Sequence, residues 1–337
     1  MKKHLLPKEG NFYKANLHCH SNLSDGYLTP EELKELYKSY GYSVLAYTDH
    51  DMFIPHHELT DESFVALAGF EAAFNENSQY PGNKKLKSCH ICCIAGTQDI
   101  EYHPAWNERY AYVGNAKENR SKVKYDKSEP FFEREYTPEC ISLMAKIARE
   151  HGFFVTYNHP AWAMETSEQY TKYKNLNAME IFNNHDDKQG FPAYTINAYD
   201  DILRSGKEIF ALATDDNHNK YPTTAAKCDS FGGYVMIKAD ELKYESITDA
   251  LFQGNFYASS GPEIYDLYIE NNSIYISCSE AVKITINKGT RGAESILAEH
   301  GKTITEAEFK FEDDDIYVRL TVVDKYGRFA NTNAYFI

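Results

Sequence analysis

The chain has 337 residues, with 50 acidic against 35 basic side chains and a net charge of −15. That length is ample for a large core and leaves room for one big domain plus a small one. The acidity argues against a nucleic-acid partner, but not against an anionic small molecule, since clustered divalent ions reverse the local sign of charge.

The start, Met1 to Pro7, carries basic residues but no apolar core of signal-peptide length. No stretch approaches a membrane-spanning helix. Seven cysteines are scattered, with Cys19, Cys92 and Cys93 in apolar, strand-like contexts, as expected of free buried thiols in a reducing, cytoplasmic compartment. Cys89-x-x-Cys92 has redox spacing but lies in a strand rather than at a helix start, so it is read as packing.

The first informative segment is Asn16 to Gly26. In an extended strand, residues two apart share a face, so His18 and His20 point together and Cys19 points away. Two converging imidazoles can chelate a divalent ion, and Asp25 lies just beyond in a Gly-containing turn. The alternative for an isolated His-x-His pair is a solvated strand. Against that alternative, metal-ligand residue types recur along the chain: Val44–Tyr47 runs into Thr48-Asp49-His50-Asp51, and Val65–Phe70 ends in Glu71. His90 lies inside Cys89–Ile94, Phe153–Asn158 ends in His159, and Ile209–Thr214 leads to Asp216-x-His218. Buried strands that finish in His, Asp or Glu build the site of a barrel-like α/β enzyme.

Capped helices are predicted between these strands. Thr29-Pro30-Glu31-Glu32 opens one that runs through Leu33, Leu36 and Tyr37 and stops at Gly41. Thr137-Pro138-Glu139 opens another, with Ile141, Met144, Ala145 and Ala148 on its apolar face; Leu143 and Ile147 widen that face and Ser142 falls outside it. A shorter helix carries Asp200, Ile202 and Leu203 before Gly206. This alternation indicates a parallel sheet or barrel.

Together His18-x-His20, Ser24-Asp25-Gly26, Thr48-Asp49-His50, Gly69-x-Glu71, His90, Asn158-His159-Pro160 and Asp216-x-His218 resemble the PHP (polymerase and histidinol phosphatase) superfamily of metal-dependent phosphoesterases, over roughly residues 14–220. The resemblance implies an α/β fold, a distorted (β/α)7 TIM-like barrel with up to three divalent metals at the strands' C-terminal ends. By matching position, His18, His20, Glu71 and Asp216 would hold the first metal. Glu71 would bridge to a second, held also by His90 and His159, and Asp25, His50 and His218 would hold a third. Asp25 stands where some members carry His, which makes that site harder and more anionic. The donor set suits two or three ions of Zn, Mn or Fe. Asp49, Asp51 and His185 are candidate proton donors for the leaving group, Asp49 being read rather as the partner that orients His50.

Other histidines are weighed against the same chemistry. His103 in His-Pro-Ala-Trp echoes His159-Pro160-Ala161-Trp162, but His159 ends an apolar strand and His103 lies in a polar loop. Glu180 is either a satisfied strand carboxylate or a residue behind the ligands. His4, His56, His57, His151 and His300 read as surface residues.

Two regions depart from the barrel. Residues 97–136 form a long polar and aromatic insertion, readable as a substrate-facing lid or as a solvated or contact loop. Its Arg109, Arg120 and Arg134 are candidate substrate-binding residues able to pair with a phosphate. From residue 263 the pattern changes to short alternating strands, with Asn271-Asn272 as a hairpin turn. We therefore divide the chain into a barrel over 1–262 and a small β-sandwich-like domain over 263–337. The Gly254–Gly261 segment with this tail is similar to a PHP branch that includes carbamate- and amide-cleaving members. The expected function is a phosphoesterase hydrolysing a small phosphate ester by attack of a metal-bound hydroxide. The alternative is a metallohydrolase of carbamate or amide bonds, and a non-enzymatic scaffold would have no need of nine buried polar ligands.

Overall fold

The computed structural model describes residues 2–76 and 87–337. Its first eight strands are β1 (Lys3–His4), β2 (Asn11–Asn16), β3 (Val44–Tyr47), β4 (Val65–Asn75), β5 (Ser88–Ala95), β6 (Phe153–Tyr157), β7 (Ala178–Asn183) and β8 (Phe210–Thr214). The helices are α1 (Pro30–Ser39), α2 (Ala116–Asn119), α3 (Pro138–Glu150), α4 (Ser167–Tyr170), α5 (Asn184–Gln189), α6 (Ile196–Arg204) and α7 (Tyr244–Gln253). Two further strands, β9 (Tyr234–Ala239) and β10 (Phe256–Ser259), lead to the tail. The fold is mixed α/β.

Strands β2 to β8 are neighbours in chain order within one 14-stranded sheet. The β2–β3–β4 and β6–β7–β8 pairs are parallel. β5 is antiparallel to both β4 and β6, which corrects the all-parallel alternation read from the sequence. Parallel neighbours need a long crossover, usually helical, and among the described residues no helix separates β4 from β5. Six of the seven strands still point one way, so their C-terminal ends form one rim.

The ring of strands is not a continuously paired barrel. β2 pairs antiparallel with β9 on its outer side. Just past the ends of β2 and β8, however, the two backbones meet. His20 N–H donates to Asn217 O at 3.0 Å, Asp216 N–H donates to His18 O at 3.0 Å, and Cys19 bridges Asn217 in parallel. Ala15, Leu17, Val44, Ala46, Val65, Leu67, Ile94, Phe154, Ala178 and Leu212, drawn from every one of the seven strands, or the residue just past one, form one buried cluster. Ile247 and Leu251 of α7 belong to the same cluster. The rim is thus held shut where β2 and β8 deliver their polar tips.

The helix signals act locally as read. Thr29 Oγ1 accepts from Glu32 N–H at 3.2 Å while Glu32 Oε2 accepts from Thr29 N–H at 2.9 Å, a reciprocal cap for α1. In α3 two positions are exchanged relative to the reading: Leu143 is 49% exposed and Ser142 is buried. Ser142 satisfies its hydroxyl by donating to Pro138 O and by accepting from Lys174 N–H at 3.0 Å, so burying it leaves no polar group unpaired.

The tail holds β11 (Ile264–Glu270), β12 (Ser273–Ala281), β13 (Lys283–Lys288), β14 (Ala293–Leu297), β15 (Ile304–Lys310), β16 (Tyr317–Val323), β17 (Phe329–Thr332) and β18 (Tyr335–Phe336). Asn271 and Asn272 both take positive φ, +51° and +56°, the geometry that matches a two-residue turn to strand twist. β13, β14, β16 and β17 continue the large sheet through β10, whereas β11, β12 and β15 form a second sheet. Its remaining strand is β1, from the other end of the chain, and Leu6 joins the apolar cluster shared by the two sheets. The N-terminus therefore packs with the tail.

The tail is fastened to α6 by a buried bidentate pair. Arg319 on β16 donates from Nε and Nη2 to the two oxygens of Asp200 on α6, at 2.8 and 2.7 Å. Removing one member of such a pair strands a charge in a desolvated place. Asp200→Ala is expected to cost about 3–5 kcal/mol of unfolding free energy in a urea titration. A loss below about 1 kcal/mol, the scale of an exposed pair, would show that Arg319 finds water instead.

Candidate metal centre

The rim brings all nine sequence-nominated ligands into one connected cluster. His20, Asp25, His50 and His218 form one group, His50, Glu71 and His90 another, and His18, His159 and Asp216 a third; within each, the ligand atoms lie within 4.8 Å of one another. Glu71 is the hub. Its carboxylate lies 3.2 Å from His18 Nε2, 3.5 Å from His20 Nε2, 3.0 Å from His50 Nδ1, 3.0 Å from His90 Nδ1 and 3.2 Å from His159 Nε2. In the β4–β5 ladder Glu71 pairs with Cys92 and Ala73 with His90, a register that puts His90 on the same face as Glu71. His50 belongs to two groups at once, so the division into three separate sites implied by the resemblance is less sharp in space.

Local sequence explains how each ligand is held. Glu180 on β7 accepts His18 Nδ1 at 2.7 Å, Thr214 Oγ1 at 2.7 Å, His159 N–H at 3.0 Å and Asn183 Nδ2 at 3.0 Å. It thus fixes which nitrogen of His18 faces the cluster. Asn158 Nδ2 donates to Glu71 Oε1 at 3.0 Å. Asp49 makes no bond to the His50 ring; its carboxylate accepts from the amides and hydroxyls of Ser21 and Ser24, pinning the turn that carries Asp25. A Cβ on Gly26 would come 2.2 Å from His20 O, so only glycine lets that turn fold back on the ligand strand. His159 (φ +28°) and Asp216 (φ +52°) both occupy the left-handed region, a strain that their amide bonds to Glu180 and to His18 O hold in place.

The remaining nominations fall elsewhere. Asp51 is ion-paired with Arg134, which also reaches Ala73 O at 3.2 Å. Arg109 pairs with the exposed Glu133, and Arg120 Nε donates to Ala111 O at 2.7 Å. All three arginines are committed within the protein, and none lines the cavity described below. His185 does line it, with Nδ1 3.0 Å from Asp229. His103 does lie in a loop of the insertion, but it is buried, its ring packed against Phe70 and Trp106. His56 is likewise buried, stacked edge-on to Tyr47, which corrects its reading as a surface residue.

The donors fit a divalent cation. The Nε2 atoms of His18 and His20 approach to 3.1 Å, with Asp216 Oδ1 at 3.2 and 3.0 Å from them. The buried Nδ1 atoms of His20 and His159 have no hydrogen-bond partner. Imidazoles and carboxylates crowded in this way, with no lysine or arginine among them, suit an ion of the zinc, manganese or iron type. Cys92 Sγ also lies within reach of His18 and Glu71, accepts a hydrogen bond from Asn158 Nδ2 at 3.0 Å, and has its thiol pushed up to about 11 by burial.

Burial alone would push the Glu71 carboxyl up, yet His90, His18 and His50 hold it well below the usual carboxylate range. Burial likewise opposes charge on His50 and His159, but Glu71 and its acidic neighbours raise both to about 9. Burial, His218 and His50 bring His20 down to about 4.

The cluster floors a cavity of about 600 Å³. Trp162, Met164, Ala73, Tyr112 and Val113 form its apolar side, the last two from the 97–136 insertion. The insertion is tied to the Asp25 turn, Asn115 N–H donating to Ser24 O at 2.6 Å and Asn115 Nδ2 to Asn22 O at 3.0 Å. Gly114 makes this approach possible, since a Cβ there would lie 2.2 Å from Ser24 O.

No family model and no curated protein matches the chain. Solved structures do. One is a two-domain protein containing a predicted PHP-like metal-dependent phosphoesterase from Bacteroides vulgatus, 13% identical over 99% of this chain and 98% of that one, with a TM-score of 0.45. The chain is similar in structure to this PHP-like protein. A candidate metal-dependent phosphoesterase from Bifidobacterium adolescentis is 16% identical over 65% of this chain and 91% of its own, with a TM-score of 0.38. An amidohydrolase from Chromobacterium violaceum with bound sulfate is 14% identical over 64% and 93%, with a TM-score of 0.39. At TM-scores below 0.5 these likenesses do not speak to chemistry, which rests on the residues above.

Two outcomes follow from the geometry. His50 and His159 sit near 9 against an ordinary 6.5, so in chelator-treated protein their protonation stabilises the fold fully below pH 6.5 and that contribution is lost as pH rises through about 9. The melting temperature of chelated protein should fall between pH 6.5 and 9, and reloading with ions should flatten that fall; an equally flat profile without ions would contradict the coupling. Separately, Glu180→Ala should weaken metal binding about 10–100-fold by releasing the His18 ring. Unchanged affinity in a competition titration would make Glu180 a packing residue only.

Proposed function

We propose that the chain is a metal-dependent hydrolase acting on a small phosphate ester. The observation that carries this reading is the contact of one buried carboxylate, Glu71, with five imidazoles at the floor of an open cavity. Several buried carboxylates and imidazoles crowded together are costly without an ion, so the arrangement is best explained as a place for two or three divalent cations. We assign His18, His20, Asp25, His50, Glu71, His90, His159, Asp216 and His218 as the residues that hold them. Such ions activate water at neutral pH and polarise phosphoryl oxygens.

The chain's own residues then do the positioning. Glu180 and Asn158 orient His18 and Glu71, the Asp49–Ser21–Ser24 contacts hold Asp25 at the mouth, and the insertion supplies one wall. The cavity fits a small molecule rather than a polymer, and no helix among the described residues is long and apolar enough to cross a membrane. We read β2 to β8 as a distorted seven-stranded PHP-type barrel and residues 263–337 as a β-sandwich-like domain completed by β1.

Phosphate release from a panel of small phosphate esters, by protein reconstituted with Mn, Zn or Fe, tests the reading. Glu71→Ala should lose metal and more than about a hundredfold of turnover, since even outer-shell contacts are worth 10–100-fold. Metal-replete wild-type protein that releases no phosphate but cleaves carbamates or amides would move the scissile bond to a carbonyl. A fully active, metal-replete Glu71→Ala protein would overturn the assignment altogether.

A further inference from the structure

A second cavity of about 460 Å³ adjoins the metal centre, sharing Asp25, His185, Gln189 and His218 with the first. Lys188, Lys220 and Lys227 all line it. Lys188 comes from α5 and pairs with Asp187 at 2.9 Å. Lys220 and Lys227 lie on the loop that follows His218, and neither takes part in an ion pair among the described residues. Both ammonium groups stand within 6 Å of the Tyr221 ring centroid, at 5.9 and 5.8 Å.

This loop is anchored. Asp229 accepts from His218 N–H at 2.9 Å and Asn219 N–H at 3.1 Å, and Asn219 Nδ2 donates to Ser230 Oγ at 2.7 Å. The loop's two ends are thereby clasped, and its lysines are kept beside the metal centre. The cavity's own carboxylates are not available to neutralise them. Asp229 is occupied by His185 and these amides, and Asp25 faces His20, His50 and His218 at 3.5–3.7 Å. Lys220 and Lys227 are solvent-exposed ammonium groups, without an ion-pair partner among the described residues, that line a cavity beside the cluster, where an anion can accept charge-assisted hydrogen bonds from them.

We infer that this lysine-lined cavity is a subsite for a second anionic group, a phosphate or carboxylate, carried by the substrate beyond its scissile bond. The inference rests on the hydrolase reading for its scissile group. It deepens that reading by making the substrate a doubly anionic small molecule, with one anion at the metal centre and the other at Lys220 and Lys227.

The test is calorimetric and needs no turnover. Ethylphosphonate, 3-phosphonopropionate and propane-1,3-bisphosphonate are titrated into metal-reconstituted wild-type protein and into the Lys220→Gln/Lys227→Gln variant, with metal content measured in both. The two-anion compounds should bind wild-type protein about tenfold or more tighter than ethylphosphonate, the scale of one charge-assisted hydrogen bond. That preference should shrink towards unity in the variant at equal metal content. Tighter binding of the bisphosphonate marks phosphate as the second group, and tighter binding of the phosphonopropionate marks carboxylate; both support the subsite. Equal binding of all three by wild-type protein, binding of none, or a preference undiminished in the variant would overturn it. A lysine-dependent preference in a protein that hydrolyses no phosphate ester would retain the subsite and reject the phosphoesterase reading instead.

Discussion

The structure depends on one buried carboxylate. Glu71 is almost wholly shielded from solvent, and its two oxygens meet imidazoles delivered by the tips of β2, β3 and β6 and from within β5. A charge in such a place is stable only if its neighbours neutralise it and are themselves held. Much of the surrounding architecture meets that demand. Glu180 and Asn158 hold the rings and the carboxylate, the Ser21–Ser24 turn is pinned by Asp49, and the β2 and β8 backbones close on each other just where they carry ligands.

The less regular parts of the fold read as consequences of the same demand. β5 runs against its neighbours, and its register on β4 puts a mid-strand histidine on the face that carries Glu71. His159 and Asp216 accept left-handed backbone conformations that no sheet requires, because their side chains have to turn back into the cluster. The insertion is fastened to the Asp25 turn and so lends its wall to the cavity without donating a ligand. The tail is farther from this chemistry. It extends the large sheet, and the buried Arg319–Asp200 pair locks it onto α6.

What could be read from the sequence follows from what sequence patterns encode. The candidate ligands that end apolar runs were legible, since the run names the strand and its end names the rim, although β4 continues past Glu71 to Asn75; α1 and α3 were legible too, because their caps are local. Strand direction is not legible, because an apolar run has no polarity, so a general expectation of a parallel sheet or barrel does not reveal that β5 is reversed. Ser142 and Leu143 exchanged places because a hydroxyl can satisfy itself on its own helix, which periodicity does not weigh. The arginines of the insertion looked like an anion clamp by composition, but their partners, Glu133, Ala111 O and Asp51, are set by tertiary contacts. Lys220 and Lys227 carried no motif at all. Only the clasp at Asp229 brings them to the metal centre, and no spacing rule reports it.

The most direct test of the central claim is anomalous diffraction from crystals grown with manganese, with data collected on both sides of its absorption edge. The account predicts anomalous peaks inside the His–carboxylate cluster, at least one of them within coordinating distance of Glu71. Crystals with manganese bound elsewhere, or with the cluster closed on itself by Glu71–imidazole hydrogen bonds alone, would contradict it.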